Sequence, residues 1–195
     1  MEFLENDLYH IYNRGNNKQR IFFKPDNYLF FLNKVRKYIQ PHCDILAWCL
    51  MPNHFHFLIY SDHRTIKTKL VSGLQKNAMS EGFRVLLSSY TQAINKQNNT
   101  TGSLFQQNTK AKLVAKNDLR YATTCFHYIH QNPIQAKLVV KMEDWAYSSF
   151  IDYCNKRNET LTNKDAAQCI LQLNMRYFYE DSYRIINENS IRDIY

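Results

Sequence analysis

The chain has 195 residues and a formal net charge of +8, with 45% hydrophobic and 14% aromatic residues. This composition favours one compact α/β domain and excludes a disordered chain. The sequence holds no apolar run of about 18 residues, so we expect no membrane span, and its acidic start is unlike a secretory signal. Five cysteines without a Cys-x-x-Cys pair predict reduced thiols and a cytoplasmic location.

The first third of the chain predicts three strands and one helix. Residues 8–15 alternate between two faces and stop at a glycine, which is typical of a strand. Residues 25–40 begin with a proline and predict an amphipathic helix. Its apolar stripe would consist of Leu29, Leu32, Val35 and Ile39. The β-rich runs 43–51 and 54–60 flank a Pro-Asn pair, which predicts two antiparallel strands joined by a tight turn.

The middle of the chain predicts two helices and another strand. Apolar residues at i, i+4 spacing from Ile66 to Ile94 indicate a long basic helix. Residues 110–115 predict a strand with lysines at alternate positions. Residues 117–132 predict a helix that is capped by Asn117 or Asp118 and stopped by Pro133.

The order β-α-β-β-α-β-α predicts an α+β fold, with an antiparallel sheet backed by helices in the ferredoxin-like or RRM-like class. Residues from about 155 onward differ in character and suggest a helical tail. We therefore divide the chain into a domain over 1–154 and a helical C-terminal extension over 155–195.

Positive charge is concentrated in the middle of the chain. Residues 61–120 hold ten Lys or Arg and three Asp or Glu, a net charge of +7. Such a segment suits a polyanion, because basic side chains on one face release counterions from phosphates. The alternative is an ordinary solvated basic surface.

Two histidines, His54 and His56, stand one residue apart in the run MPNHFHFLIY. Side chains alternate along a strand, so both imidazoles and Leu58 share one face while Phe55, Phe57 and Ile59 share the other. Two imidazoles on one face can converge on a divalent metal. Alternatively, they are two structural histidines of a strand.

The helix around residue 128 places Tyr128 and Asn132 one turn apart on the same face. A tyrosine hydroxyl has an ordinary pKa near 10, so as a nucleophile it needs a metal-polarised electrophile or a nearby base. An asparagine oxygen one turn away could complete the coordination of a metal. The alternatives are that Tyr128 packs in the core and that Asn132 caps the helix before the proline.

Several motifs resemble the REP-associated tyrosine transposases, members of the single-tyrosine HUH transposase superfamily. They are, in order, YHIYNRGNNKQRIFF, MPNHFHFLI, SYTQAINKQNNTTGSLFQ, RYATTCFHYIHQNPIQAKLV and WAYSSF. A His-hydrophobe-His pair is a weak signal alone, but it is specific when YIHQNP and WAYSS follow. One departure concerns Asn108 and Thr109, which stand where relatives often have an arginine and an aromatic residue.

The resemblance implies an HUH fold and a DNA transposase that forms a covalent 5′-phosphotyrosine on single-stranded or hairpin DNA. It implies that His54 and His56 bind Mg²⁺ or Mn²⁺, that Tyr128 is the nucleophile, and that Asn132 is a third ligand, with Gln131 as fallback. His127 and His130 flank the tyrosine and would face DNA or be incidental. Neither a nucleotide cofactor nor a membrane is expected as a partner. The protein would act as a monomer or as a homodimer.

The candidate phosphate contacts are basic residues of the middle segment: Lys67, Lys69, Lys76, Arg84, Lys110 and Lys112. Two other functions stay open. The chain could be a domesticated, non-catalytic single-stranded nucleic-acid-binding protein, which would leave the joint presence of histidines, tyrosine and asparagine unexplained. It could also be a metal-dependent phosphodiesterase that uses water, although such a site usually gathers more ligands nearby.

Overall fold

The computed structural model describes residues 1–115, 118–158 and 160–186. The strands are β1 (Asp7–Arg14), β2 (Asp44–Met51), β3 (His54–Ser61), β4 (Thr68–Val71), β5 (Leu74–Asn77) and β6 (Lys110–Ala115). The helices are α1 (Pro25–Tyr38), α2 (Ala78–Asn98), α3 (Leu119–Gln135), α4 (Phe150–Tyr153), α5 (Lys164–Ile170) and α6 (Phe178–Tyr183). None of the helices in these ranges is both long enough and apolar enough to span a membrane.

One antiparallel sheet in the described part of the chain has the strand order β2-β3-β1-β6. β1 and β6 are far apart in sequence but adjacent in space, with helices in the connections, which is the arrangement of a ferredoxin-like fold. The predicted α+β class is confirmed. In the register of β1 and β3, Tyr12 pairs with His56 and His10 pairs with Leu58.

Both faces of the sheet are covered. Phe55, Phe57 and Ile59 are fully buried in a cluster with the apolar faces of α1 and α2. Leu58 belongs to a second cluster, which α3 and the C-terminal helices complete on the opposite face. The predicted division of β3 into two faces is therefore confirmed, and the histidines lie on the α3 side.

The predicted helix over residues 66–77 is wrong, because this segment forms the β4–β5 hairpin. Ser72 and Gly73 make its turn with φ angles of 50° and 79°. A positive φ at both central residues suits a two-residue hairpin turn, and glycine adopts it without a steric penalty. Leu70 and Leu74, which suggested a buried helical stripe, are 68% and 63% exposed.

Two further expectations about helices need correction. Leu29 is 55% exposed, and Tyr28 and Phe31 lie on the buried face of α1 instead. Pro133 does not stop α3, which continues to Gln135. The ring removes one backbone donor, two residues before the end of the helix. Asp118 caps the helix by accepting from the Arg120 backbone N–H at 3.0 Å, whereas Asn117 lies outside the described residues.

The described part of the predicted C-terminal extension contains two helices, α5 and α6, and α6 packs on α3; residues 159 and 187–195 lie outside the described residues. The Phe178 ring of α6 lies 5.5 Å from the Phe150 ring and 6.2 Å from the Phe126 ring, measured between centroids. Ala167 and Leu171 at α5 join the same buried cluster. Helix α6 therefore supports α3 from outside, while α5 packs against β2 within the same cluster.

Candidate functional site

The two predicted histidines lie at the end of the sheet where β3 begins. The ring centroids of His54 and His56 are 4.9 Å apart and the rings are nearly perpendicular, at 88°. Both rings border a cavity of about 280 Å³. The residues lining it are Tyr12, Asn13, Arg14, His54, His56, Gln106, Asn108 and Lys110. Asn108, one of the departures from the family pattern, is thus part of the wall.

His56 is fully buried and is held by a third histidine. Its Nδ1 lies 2.8 Å from Nε2 of His10, which projects from the neighbouring strand β1. Burial is the largest cause that moves the pKa of His56 well below its usual value, and the nearby His10, His54 and Arg14 lower it further. A neutral imidazole of this kind can donate a lone pair to a metal.

His54 is half-buried and its protonation pattern follows from its neighbour. Its Nδ1 lies 2.6 Å from Oδ1 of Asn53, and Nδ2 of Asn53 donates to the Lys18 carbonyl. The Asn53 oxygen can only accept, so His54 carries its proton on Nδ1. Burial lowers the pKa of His54 to about 4, although a hydrogen bond with Asn132 opposes the shift and Arg14 adds to it.

Helix α3 brings the predicted tyrosine and asparagine against the histidines. The Tyr128 ring centroid lies 6.1 Å from that of His56, and the side chain is only 2% exposed. Asn132 is 5% exposed and donates from Nδ2 to the Tyr128 carbonyl at 2.8 Å. Its amide also contacts His54. Residues from two distant parts of the sequence therefore meet at one place.

The other polar residues around the tyrosine face away from this cavity. His127 Nδ1 lies 3.0 Å from the Ser182 hydroxyl, and His130 Nε2 lies 2.7 Å from the Ser149 hydroxyl. Both histidines are buried and hydrogen-bonded within the protein, so the structure agrees with the expectation that they are incidental and not with the alternative that they face DNA. Gln131 donates to the carbonyls of Ser182 and Arg184, which ties α3 to the chain around α6.

The six basic residues proposed as phosphate contacts do not form one cluster. Lys110 is exposed at the cavity, and Lys112 lies opposite His10 on β6. Arg84 on α2 forms an ion pair of 2.6 Å with Glu81. Lys67, Lys69 and Lys76 belong to the β4–β5 region. Lys69 and Lys76 lie near Glu81, and Lys69 also lies near His42, at the opposite end of the sheet from His54.

Sequence reasoning missed His10, Asn53 and Tyr12 as parts of the site. His10 and Tyr12 alternate with core residues in LYHIY, so the pattern of β1 did place them on one face. What the pattern does not contain is the register that sets this face beside His56. Asn53 looked like an ordinary turn residue before the strand.

The donor atoms present fit a divalent ion. His54 and His56 supply neutral imidazoles, and Asn132 supplies an amide oxygen because its nitrogen is engaged with Tyr128. Imidazole and carbonyl-type oxygens are both ligands of divalent metals. Among the described residues, no group of three or more His, Cys, Asp or Glu could hold a metal, so any such site here depends on the asparagine and on water.

Comparisons with solved structures show a likeness in fold. No family model and no curated protein matches the chain. A solved REP-associated tyrosine transposase bound to a REP hairpin superimposes with a TM-score of 0.59 and 15% identity, over 84% of this chain and 92% of the other. A bacterial tRNA(His) guanylyltransferase-like protein in complex with GTP reaches a TM-score of only 0.41, at 10% identity, over 82% and 73% of the two chains. The likeness to the transposase shows that the two chains share a fold.

Proposed function

We propose that the chain is a DNA strand transferase that cleaves and rejoins single-stranded or hairpin DNA, with Tyr128 as the nucleophile. One observation carries the proposal: α3 packs on the face of the sheet that holds His54 and His56, and there it brings Tyr128 beside His56 and Asn132 against His54. The resemblance in motifs and the shared fold support it. A cavity of about 280 Å³ is far smaller than a DNA duplex, which favours an unpaired strand at the site.

His54, His56 and Asn132 would hold Mg²⁺ or Mn²⁺. When bound, the ion supplies Lewis-acid polarisation of the scissile phosphate. Tyr128 then loses its phenolic proton and forms a bond to phosphorus, the bond from phosphorus to the 3′ oxygen breaks, and that oxygen takes up a proton. The product is a 5′-phosphotyrosine and a free 3′-OH, a polarity that follows from the family resemblance. A second 3′-OH reverses the step, so no nucleotide cofactor is required.

The cavity wall supplies the groups that would position the strand. Arg14 and Lys110 offer cations to the phosphates on either side of the scissile bond. Gln106 and Asn108 offer amide donors and acceptors to base edges or sugars. Tyr12, whose ring also borders the cavity, offers a surface on which an unpaired base can stack.

A covalent-adduct assay tests the proposal. The full chain is incubated with Mn²⁺ and a labelled single strand that contains a hairpin, and the products are separated on a denaturing gel. We expect a labelled protein band that is absent in Tyr128→Phe and retained in Tyr177→Phe, because Tyr177 is 44% exposed and does not line the cavity. Peptide mapping of the band should locate the nucleotide on Tyr128.

The same assay separates the rival functions. Cleavage without a protein band would contradict the proposal and favour a phosphodiesterase that uses water. Binding without cleavage would contradict it in favour of a non-catalytic DNA-binding protein. A band that maps to Tyr12 would still support strand transfer through a tyrosine, but it would show that Tyr128 is not the nucleophile.

A further inference from the structure

His10 stands out among the buried polar residues because it contacts the site without lining its cavity. It lies in the central part of β1, between β3 and β6, and is 0% exposed. A buried imidazole needs hydrogen-bond partners to offset its desolvation. One contact is the 2.8 Å distance from its Nε2 to Nδ1 of His56.

The two rings meet in the geometry of a true hydrogen bond. Their planes are within 15° of parallel, and their centroids are 5.0 Å apart. With nitrogens only 2.8 Å apart, this separation describes rings that meet edge to edge in nearly one plane, rather than rings stacked face to face. The lone pair of one nitrogen therefore points along the N–H bond of the other.

This contact decides what His56 can do, because the two nitrogens share one proton. If His56 donates from Nδ1, its Nε2 carries a lone pair and can bind a metal. If His10 donates instead, Nε2 of neutral His56 carries the proton and can serve only as a donor. The orienting partner of a histidine thus selects between a ligand and a hydrogen-bond donor.

The proposed ligand role requires the first arrangement. A nitrogen that binds a metal must carry a lone pair, so Nε2 of His56 is a ligand only when the proton of this ring is on Nδ1. Nε2 of His10, 2.8 Å away, must then accept the hydrogen bond from Nδ1 of His56. Oδ1 of Asn132, whose nitrogen is engaged with the Tyr128 carbonyl, is a second atom on this side of the cavity that can bind a cation.

We propose that His10 is a positioning residue that accepts a hydrogen bond from Nδ1 of His56 and thereby keeps Nε2 of His56 available as a metal ligand. The inference rests on the proposed function, since the ligand role of His56 belongs to that function. It adds a residue that does not touch the metal or DNA but sets both the tautomer and the ring orientation of a ligand. Loss of such a partner typically weakens metal binding by about 10- to 100-fold.

The first test needs no substitution. In the metal-free full chain labelled with ¹⁵N in its histidines, long-range NMR correlations identify which nitrogen of His56 carries the proton. We expect a protonated Nδ1 and a bare Nε2 for His56, and a bare Nε2 for His10. A proton on Nε2 of His56 would overturn the inference.

The second test compares Mn²⁺ affinity without DNA, by titration calorimetry or by the electron paramagnetic resonance of free Mn²⁺. His10→Leu removes the acceptor, and we expect Mn²⁺ binding to weaken by about 10- to 100-fold. His10→Gln, whose amide oxygen can accept from Nδ1 of His56, should recover most of the affinity. Circular dichroism identifies any variant that fails to fold, in which case the NMR result on the unaltered chain decides.

Two control variants separate this inference from the proposed function. If His54→Ala and His56→Ala bind Mn²⁺ as tightly as the unaltered chain, the proposed metal site itself is wrong. If both lose Mn²⁺ binding but a folded His10→Leu retains it, only the role of His10 is wrong.

Discussion

The residues that define the candidate site are buried histidines that stay neutral. Burial is the largest cause lowering the pKa of His54, His56, His127 and His130, and for His54 and His127 the pKa falls to about 4. A neutral imidazole is required for the metal ligation that we propose for His54 and His56. In His127 and His130 the same property serves the packing of α3 against its supports.

The first prediction at this scale concerns stability against pH. The ordinary pKa of histidine, 6.5, lies above the folded-state value of about 4 for His127, so the unfolded chain binds the proton more strongly. Stability is therefore present above pH 6.5 and is lost as the pH falls from about 6.5 to about 4. Each such histidine contributes a slope of at most about 1.4 kcal/mol per pH unit. Urea unfolding across this range measures the slope.

A single substitution shows how much of this pH dependence comes from His127. His127→Gln keeps a side chain that can hydrogen-bond Ser182 but cannot titrate. We therefore expect the slope of the unfolding free energy against pH to decrease by the contribution of about one proton. Equal slopes in the two proteins would show that His127 is not protonated preferentially in the unfolded chain.

At the scale of elements, helix α3 has two polar faces with different roles. One face presents Tyr128 and Asn132 to the histidines of the sheet. The other presents His127 and Gln131 to the chain around α6. The position of the tyrosine therefore depends on contacts that the C-terminal helices make on the far side of the same helix.

Adjacent substitutions on α3 should separate these faces. Gln131→Ala removes two hydrogen bonds to the carbonyls of Ser182 and Arg184, and we expect a loss of about 2 kcal/mol in the free energy of unfolding. Its Mn²⁺ affinity should stay close to that of the unaltered chain. Asn132→Ala should instead weaken Mn²⁺ binding by about tenfold or more, because it removes a proposed ligand.

Gln135→Ala is the matched control for stability. Gln135 is exposed and lies one turn after Gln131 on α3, and its removal should change stability by less than about 0.5 kcal/mol. If Gln131→Ala weakened Mn²⁺ binding as much as Asn132→Ala, the fallback assignment of Gln131 as the ligand would replace Asn132.

Local pattern predicted the central elements of the fold but not the segment after β3. The alternation in β1 and the tight turn at Pro52 and Asn53 are properties of the backbone and were readable from sequence. The helix predicted from Ile66 failed because i, i+4 spacing indicates a helix only when the apolar stripe is buried. Here Leu70 and Leu74 are exposed instead of packing in a core, and Ser72-Gly73 favours a turn.

Only the local part of the candidate site was predictable from the sequence. The shared face of His54 and His56 follows from strand geometry, and the shared face of Tyr128 and Asn132 follows from helix geometry. That these two faces meet depends on the packing of α3 over the sheet, which the motif resemblance suggested and local pattern could not. His10 was missed because its contact depends on the register between β1 and β3.

At the scale of the whole molecule, the basic residues lie at two ends of the sheet. Lys110 borders the histidine cavity, whereas Lys69 and Lys76 pair directly across the β4–β5 hairpin at the other end. An eight-residue strand such as β3 spans about 26 Å, at ~3.3 Å per residue. The hairpin lysines therefore cannot contact a nucleotide placed in the cavity, and a role for them in the proposed binding requires DNA that extends along the molecule.

Oligonucleotide length should therefore separate the two groups of lysines. Lys110→Ala is expected to weaken binding of a short single strand of about 4 nucleotides and of a long one of about 20. Lys69→Ala should weaken only the long one.

Each lost phosphate contact should lower the slope of log affinity against log salt by about 0.7. Fluorescence anisotropy at several salt concentrations measures both quantities, with Lys141→Ala, exposed and on neither surface, as the control. Equal effects of Lys69→Ala on both lengths would show that DNA approaches the sheet from the hairpin end, and no effect on either would remove the hairpin from the binding surface.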